Sequence, residues 1–598
     1  MGPGQAELGD PLAPTTDRPP QPGLIRRFLR RLWFRQLQHY PDNGPRTLYL
    51  GIVVVVCITL YYQLYVQYSV ATSIIRQFDM SFTFFVYITV VGGAVGAFAS
   101  LVAGLADRWG RANLVVYGLL VTALITFFGL PNAADKGTYM ALYAALSFIE
   151  GMVLVATPAL IRDFSPQLGR ASAMGFWTLG PVMGSLVVTA VSSHTLSTNS
   201  DWRTQFHYAG IAGLAAFFIA FIGLRELSAQ LRDQLMVSLR DRALIEARAR
   251  GLDIEKALSH HWRQMLRLDI VGSAFGISIF LVLYYAAVGY LVVFFATTYG
   301  YSQSRANSLG NWYWAAEACT LVVIGLLSDR VRVRKPFIVA GAVGTIVVTS
   351  LLALHTTSVG MSYYSWALLF AFVGIFGGMT FSPWMASFTE TVEKHNPAAT
   401  ATGLAVWGWI IRIVVAVSSA CLPIVVSAVT PLVDHGPQVQ ALASQYPSEI
   451  ATVGAIDPTT LATLNADPTD SAAIAKAVGE VSKSQDVTPA AALNQLIAVS
   501  KVPKADLQYL QTYGPTVQQA QKEAPEQWQT WWWVCVGCQI AFIPFVFVMA
   551  GRWSPRRARE DAEMHDQLVA REMAKLMSSG RSVHPAAPGS TSAAAAEN

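Results

Sequence analysis

Charge is what this sequence has least of. Lys, Arg, Asp and Glu together make up 13% of its 598 residues, where soluble globular chains carry roughly 25%. Several soluble domains of that length would need more polar surface than this chain can supply. Cysteine is also scarce. Cys57, Cys319, Cys421, Cys535 and Cys538 all fall in apolar stretches, none in a loop where a disulfide could close, so the redox compartment is not legible. Cys535-Val-Gly-Cys538 has the spacing of a metal pair, but no His or second pair accompanies it. Both read as small packing residues, and no metal or cofactor is expected. There is no phosphate-cradling loop, which excludes ATP as the energy source. No nucleophile–base set appears, which argues against an enzyme. Lys and Arg lie in short loops rather than on one surface, which excludes nucleic acid. The start, Pro/Gly-rich and then basic through Arg26, Arg27, Arg30, Arg31 and Arg35, has no cleavable apolar core and does not read as a signal peptide. Arg26–Arg35 is expected to lie on the inner leaflet as an amphipathic helix.

What the chain has is apolar residues, 53% of the total, gathered into blocks long enough to cross a bilayer as helices. Reading blocks against charged breaks gives spans at 47–69, 83–105, 113–131, 139–161, 172–192, 205–224, 268–297, 305–327, 336–356, 363–388, 402–430 and 528–551. The predicted fold is an all-α membrane protein of twelve transmembrane helices in two six-helix bundles. A cytoplasmic tail (1–46) precedes the first bundle (47–224). A charged linker (225–267) leads to helices seven to eleven (268–430). An extracytoplasmic helical insertion (431–527), the last span (528–551) and a cytoplasmic tail (552–598) follow. Basic residues favour alternate loops: Arg108 and Arg111, Arg162 and Arg170, the linker, Arg330 to Lys335, and the tail from Arg552. The positive-inside rule then puts both termini in the cytoplasm of a plasma or inner membrane. Trp528, Trp531, Trp532 and Trp533 are expected to anchor the outer interface. Within the insertion, Asp457-Pro458, Asp467-Pro468 and Thr488-Pro489 read as helix starts.

A repeat supports two equivalent halves. The loop after the second span reads Gly104-Leu105-Ala106-Asp107-Arg108-Trp109-Gly110-Arg111, and the loop after the eighth reads Gly325-Leu326-Leu327-Ser328-Asp329-Arg330. Ala173-Met174-Gly175-Phe176-Trp177 is echoed by Ala401-Thr402-Gly403 leading to Trp407. Internal repeats of this kind bury a midplane site in many transporters. Leu105 to Arg111 resembles the loop 2–3 signature of the major facilitator superfamily, with Ala103 and Ala112 departing from it. Gly180-Pro181-Val182-Met183-Gly184 is similar to that family's fifth-span Gly-Pro motif, often found in exporters and antiporters. The resemblance implies a twelve-helix transporter working by alternating access, with a small-molecule solute, a proton and the lipid bilayer as its partners.

The motif implies a cytoplasmic gate at Asp107, Arg108, Gly110, Arg111, Asp163, Asp329, Arg330, Glu390 and Glu393, with ion pairs of Asp163 with Arg108 or Arg111 and of Glu390 or Glu393 with Arg330 or Arg334. Ionisable groups inside spans mark a solute or ion pathway by default. Glu150 and Glu317 are the proton or ion-coupling candidates, because a carboxylate out of water holds its proton more tightly. Glu150 stands where the family has a neutral amide; the alternative is simple pairing with a cation in the bundle. Arg412 cannot shed its charge and needs an anion: Glu317, Glu390 or a substrate carboxylate. Gln63, Gln67, Tyr284, Tyr285, Asn311 and Trp314 are expected to line the solute cavity. Gly92, Gly93, Gly96, Gly374, Gly377 and Gly378 read as close helix contacts. The expected function is secondary active transport of a polar metabolite or organic anion, coupled to protons. The alternatives are a proton-driven exporter of amphipathic compounds, and a receptor or scaffold whose insertion binds a protein or envelope partner.

Overall fold

The computed structural model describes residues 35–37, 39–101, 110–164, 170–228, 231, 265–358, 360–395 and 400–578. A backbone surrounded by lipid has no water to bond, so each segment must satisfy its own N–H and C=O groups, and helices result. Among the described residues, twelve helices fall where the sequence places its apolar spans. The first six are α1 (Asn43–Ser69), α2 (Phe82–Leu101), α3 (Arg111–Leu124), α4 (Lys136–Phe164), α5 (Arg170–Thr195) and α6 (Trp202–Gly223). A π-turn at Ile125–Gly129 continues α3. The second six begin with α7, split at Leu281 into Leu268–Phe280 and Val282–Tyr299. They continue with α8 (Gln303–Val331), α9 (Lys335–His355), α10 (Tyr363–His395), α11 (Thr400–Val425) and α12 (Lys504–Val548).

Ten of these helices are long and apolar enough to cross a membrane. α8, with a more polar sequence, packs on α5 of the other half, where Ser185, Thr189 and Ser192 on α5 and Asn307 on α8 are buried. The outward faces are apolar, with Ile222, Leu326, Leu354, Ile424 and Phe547 all exposed, as a lipid-facing surface requires.

The halves repeat each other in packing as well as order. In the first, α2 meets α4 where a Cβ on Gly151 would stand 2.5 Å from the Gly96 carbonyl oxygen. In the second, the equivalent helices α8 and α10 meet where a Cβ on Gly374 would stand 2.4 Å from the Tyr313 oxygen. Between the halves, α2 packs on α11 and α5 on α8. Second helix against fifth, twice over, is the arrangement a two-fold axis through the centre imposes.

The insertion corrects two sequence expectations. Its last helix does not start at the membrane. α12 runs unbroken for 45 residues from Lys504, about 68 Å at 1.5 Å per residue, so its first half stands clear of a hydrocarbon core about 30 Å thick. Asp457 and Thr488 do cap helices, accepting from the N–H groups of Thr459 and Ala491. Asp467-Pro468 instead makes a turn, with Asp467 bonding Thr469, and the cap is Asp470. Ile456, Ala477, Val481 and Ala492 give the insertion a small core of its own.

The tryptophan anchor is also corrected. Trp528, Trp531 and Trp532 are buried, with Trp528 and Trp532 packed 5.0 and 5.3 Å from the Phe294 ring of α7. Positions three and four apart share a helix face, so only Trp533, on another face, is exposed. At the opposite end Arg35 is likewise no leaflet contact. It is 1% exposed and donates to the carbonyls of Ala220 and Phe221 at the end of α6. It begins a short extended segment in which β1 (Gln36–Leu37) pairs with β2 (Glu226–Leu227). Residues 26–34 lie outside the described residues.

The glycine contacts are testable. Gly374→Ala should force α8 and α10 apart and destabilise the protein by about 1–3 kcal/mol, read as a lower melting temperature in detergent. Gly93 and Gly377 are not the close contacts expected from the sequence: a Cβ on Gly93 would meet nothing within 4 Å and one on Gly377 only Glu317 Oε1 at 3.9 Å, so Gly93→Ala should leave melting unchanged.

Candidate functional site

The halves meet along a tyrosine face. Tyr61, Tyr65 and Tyr68 follow one another at helical spacing on α1, with ring centroids 5.4 and 6.2 Å apart. Tyr65 and Tyr68 line a cavity closed by Ser185 and Thr189 of α5 and by Asn307 and Trp314 of α8. Helix 1 can approach α5 closely because the Gly-Pro motif has no side chains there. A Cβ on Gly184 would lie 2.5 Å from that of Tyr61, and one on Gly180 3.2 Å from that of Cys57. Pro181 sits inside α5 between them.

Two ionisable residues, one from each half, lie in this region. Glu150 of α4 is 4% exposed, and its Oε1 has no hydrogen-bond partner. Arg412 of α11, in the other half, is close enough for its charge to act on Glu150, Tyr61 and Tyr285. Sequence reasoning named both residues but looked for the Arg412 partner at Glu317 or Glu390. Glu390 instead bonds Arg334, and Glu317 lies inside the second half, beside Tyr284, Tyr313 and Gln539.

Two cavity assignments are corrected. Gln63 and Gln67 point into the first half, away from the seam. A Cβ on Gly213 of α6 would lie only 1.9 Å from Gln63 Nε2, and Gln67 Oε1 accepts from the Tyr139 hydroxyl at 3.3 Å. The cause is helical phase: with 61, 65 and 68 on the seam, 63 and 67 are turned from it. Trp314 does line the seam, stacked 4.1 Å from Tyr313 and 5.2 Å from Tyr284. Tyr285 neighbours Arg412. The signal for Tyr61, Tyr65 and Tyr68 was present as an i, i+4, i+7 tyrosine row, and the sequence reading passed over it.

At the insertion end the halves are tied together. Gln303 of α8 donates to the Thr72 hydroxyl and accepts from Ser73 at 3.2 Å. Asn307 Nδ2 donates to the Ser69 carbonyl at 2.9 Å. Ser304 and Asn311 reach the Ser193 carbonyl and hydroxyl at 2.6 and 3.0 Å. The insertion joins in: Asp434, in the short helix Val429–Asp434, accepts from the Phe82 N–H that opens α2, at 2.9 Å. Burial pushes the Asp434 carboxyl up from the usual aspartate range, against the pull of that N–H and of His435.

At the termini end the charges hold each half together instead. Arg111, opening α3, bonds Asp163 at the end of α4 at 2.9 Å. Arg334, before α9, bonds Asp329 and, at 3.3 Å, Glu390 near the end of α10. These are equivalent places in the two halves. Arg330 is exposed and Glu393 lies one turn beyond Glu390; Asp107 and Arg108 lie outside the described residues. The sequence reading expected pairs that must break when this end opens. Both bridges join helices of a single half, so they travel with it as the halves rock. Glu226, which the sequence reading missed, adds to the first. Its Oε2 accepts from the N–H groups of Arg111 and Ala112 at 2.7 and 3.3 Å, capping α3. Gly110 permits this: its φ is +88°, and a Cβ there would stand 2.6 Å from Glu226 Oε1.

The sequence profile of the Major Facilitator Superfamily matches residues 52–419. The chain belongs to the Major Facilitator Superfamily. It is therefore a multi-pass membrane transporter. Among solved structures, a bacterial homologue of the human lysosomal transporter Spinster, inward-facing and unoccupied, matches with TM-score 0.54 at 15% identity, covering 86% of this chain and 100% of that one. The same homologue in an occupied, inward-facing form gives 0.53 at 15%, covering 85% and 97%. A D-xylose–proton symporter gives 0.49 at 14%, covering 62% and 90%. Identities this low show a shared fold. No curated protein matches the chain.

Two outcomes follow for this superfamily member. Replacing Gln303 and Asn307 together by Ala removes three ties between the halves, each worth about 0.5–1.5 kcal/mol. The population open at the insertion end should rise roughly tenfold or more, seen as faster thiol labelling of a Cys placed at Ser185. An unchanged labelling rate would show that these bonds do not hold that end. Glu226→Ala should lower thermal stability by about 0.5–2 kcal/mol, while leaving solute affinity as it was.

Proposed function

We propose that this protein is a proton-coupled secondary transporter of a polar metabolite or organic anion, cycling between states open to either side. What supports this reading is that Glu150, buried in the first half with its Oε1 unpartnered among the described residues, lies within electrostatic reach of Arg412 from the second half, near Tyr61. A guanidinium keeps its charge at any working pH and presents a planar fork suited to carboxylate. With Glu150 ionised, its charge competes with an anionic solute for Arg412. A proton on Glu150 frees Arg412 for that solute. Proton and solute then favour each other's binding by the same factor, as linkage requires. The tyrosines supply hydrogen bonds and ring faces for the rest of the solute.

The basic residues Arg334, Lys335, Arg552 and Arg556 at the termini end support placing it in the cytoplasm of a plasma or inner membrane. The insertion then stands outside. The aromatic seam and the Gly-Pro contact at Tyr61 also suit an exporter of amphipathic compounds, and the solute panel below separates the two readings.

The test is uptake into proteoliposomes across carboxylates, sugars and amphipathic dyes. A pH gradient should drive net flux of a carboxylate by the wild type. Glu150→Gln should abolish the response to the gradient and keep solute exchange at equal pH. Arg412→Gln should weaken binding roughly 10- to 100-fold. Full gradient-driven accumulation by the Glu150→Gln protein would overturn the coupling role. Flux of dyes alone would favour the exporter.

A further inference from the structure

We infer that a second cavity, inside the second half and walled by Glu317, Gln539, Tyr284 and Thr345, is a binding site for a monovalent cation of the Na+ type. The cavity lies among α7, α8, α9, α10 and α12 and has room for a single water-sized particle. Three oxygens of its lining residues lack any hydrogen-bond partner: Glu317 Oε2, Gln539 Oε1 and the Tyr284 hydroxyl. Glu317 and Gln539 are 2% and 0% exposed. The Gln539 amide is oriented by its other end, since Nε2 donates to Thr349 Oγ1 at 3.1 Å and turns the oxygen free. The Thr345 hydroxyl donates to the Gly341 carbonyl and keeps its lone pairs for the cavity.

These are oxygen ligands, the set a hard cation takes. One carboxylate sets the charge. Among the described residues Glu317 makes no ion pair, and an isolated carboxylate in hydrocarbon is costly. A monovalent ion neutralises it, whereas a divalent one would leave a buried net charge. A proton alone would neutralise Glu317 too, but it would supply one hydrogen bond to a cavity with several open acceptors.

The position gives such an ion a consequence. Tyr284 and Tyr313 line this cavity and pack against Trp314, whose other side faces the seam between the halves. An ion at Glu317 would fix the wall of the solute cavity without entering it.

Equilibrium binding of radiolabelled Na+ to the purified full-length protein, in detergent at alkaline pH, tests this without reference to transport or to Glu150. The wild type should bind Na+ saturably. Glu317→Gln, which keeps shape and removes charge, should weaken binding roughly 10- to 100-fold or more, and Tyr284→Phe by less. Gel filtration and melting temperature confirm that each variant is folded. Wild-type protein without saturable binding, or binding unchanged by Glu317→Gln, overturns the inference and leaves Glu317 as a protonated carboxyl.

Discussion

Everything in this structure follows from the absence of water around most of the chain. A polar atom in hydrocarbon must find its partner within the protein, so the polar residues of the spans are driven to the surfaces where helices meet. That is why the buried polar residues Ser185, Thr189 and Ser192 of α5 and Asn307 of α8 lie where these helices meet between the halves. The same constraint makes each buried charge informative. A surface carboxylate says little, but Glu150 and Arg412, held on opposite halves, exist at a cost that packing alone does not explain.

The two ends of the molecule are fastened by different chemistry. At the insertion end the ties between halves are neutral hydrogen bonds, several and individually weak: Gln303 to Thr72, Asn307 to Ser69, Ser304 to Ser193. Such a set is stable together and can be given up bond by bond. At the termini end the ion pairs, Arg111–Asp163 partly buried and Arg334–Glu390 with its carboxylate exposed, lie within each half. Ion pairs inside each half and separable neutral bonds between the halves is a division that suits rigid-body rocking. The insertion adds a tie of its own through Asp434 and Phe82. Opening that end must therefore displace the base of the inserted segment as well as the seam.

Much of this was legible in the sequence. Apolar blocks fixed the number and order of helices, and the doubled loop motif located equivalent positions in both halves. Helix phase was the weak point. Gln63 and Gln67 were assigned to the cavity for their polarity, while the tyrosines at 61, 65 and 68 actually set the facing side of α1. Trp528, Trp531 and Trp532 misled for the same reason, since an aromatic run looks like an interface belt until the buried face is known. Glu226 was invisible because its partners are backbone N–H groups of α3, 114 and 115 residues away. No sequence pattern marks a carboxylate that caps a distant helix.

The two buried carboxylates show how position within the two-fold plan separates roles that composition leaves identical. Glu150 belongs to the first half and lies within electrostatic reach of Arg412 in the second, so under the proposed transport cycle its surroundings would change as the halves move. A group of that kind can exchange proton affinity for conformational free energy. Glu317 lies within one half, among helices that keep their mutual contacts as that half rotates, so its environment stays nearly constant through the cycle. A site there cannot drive rocking by changing its own partners. It can act only on the shape of the wall it shares with Trp314, and through that wall on the solute cavity.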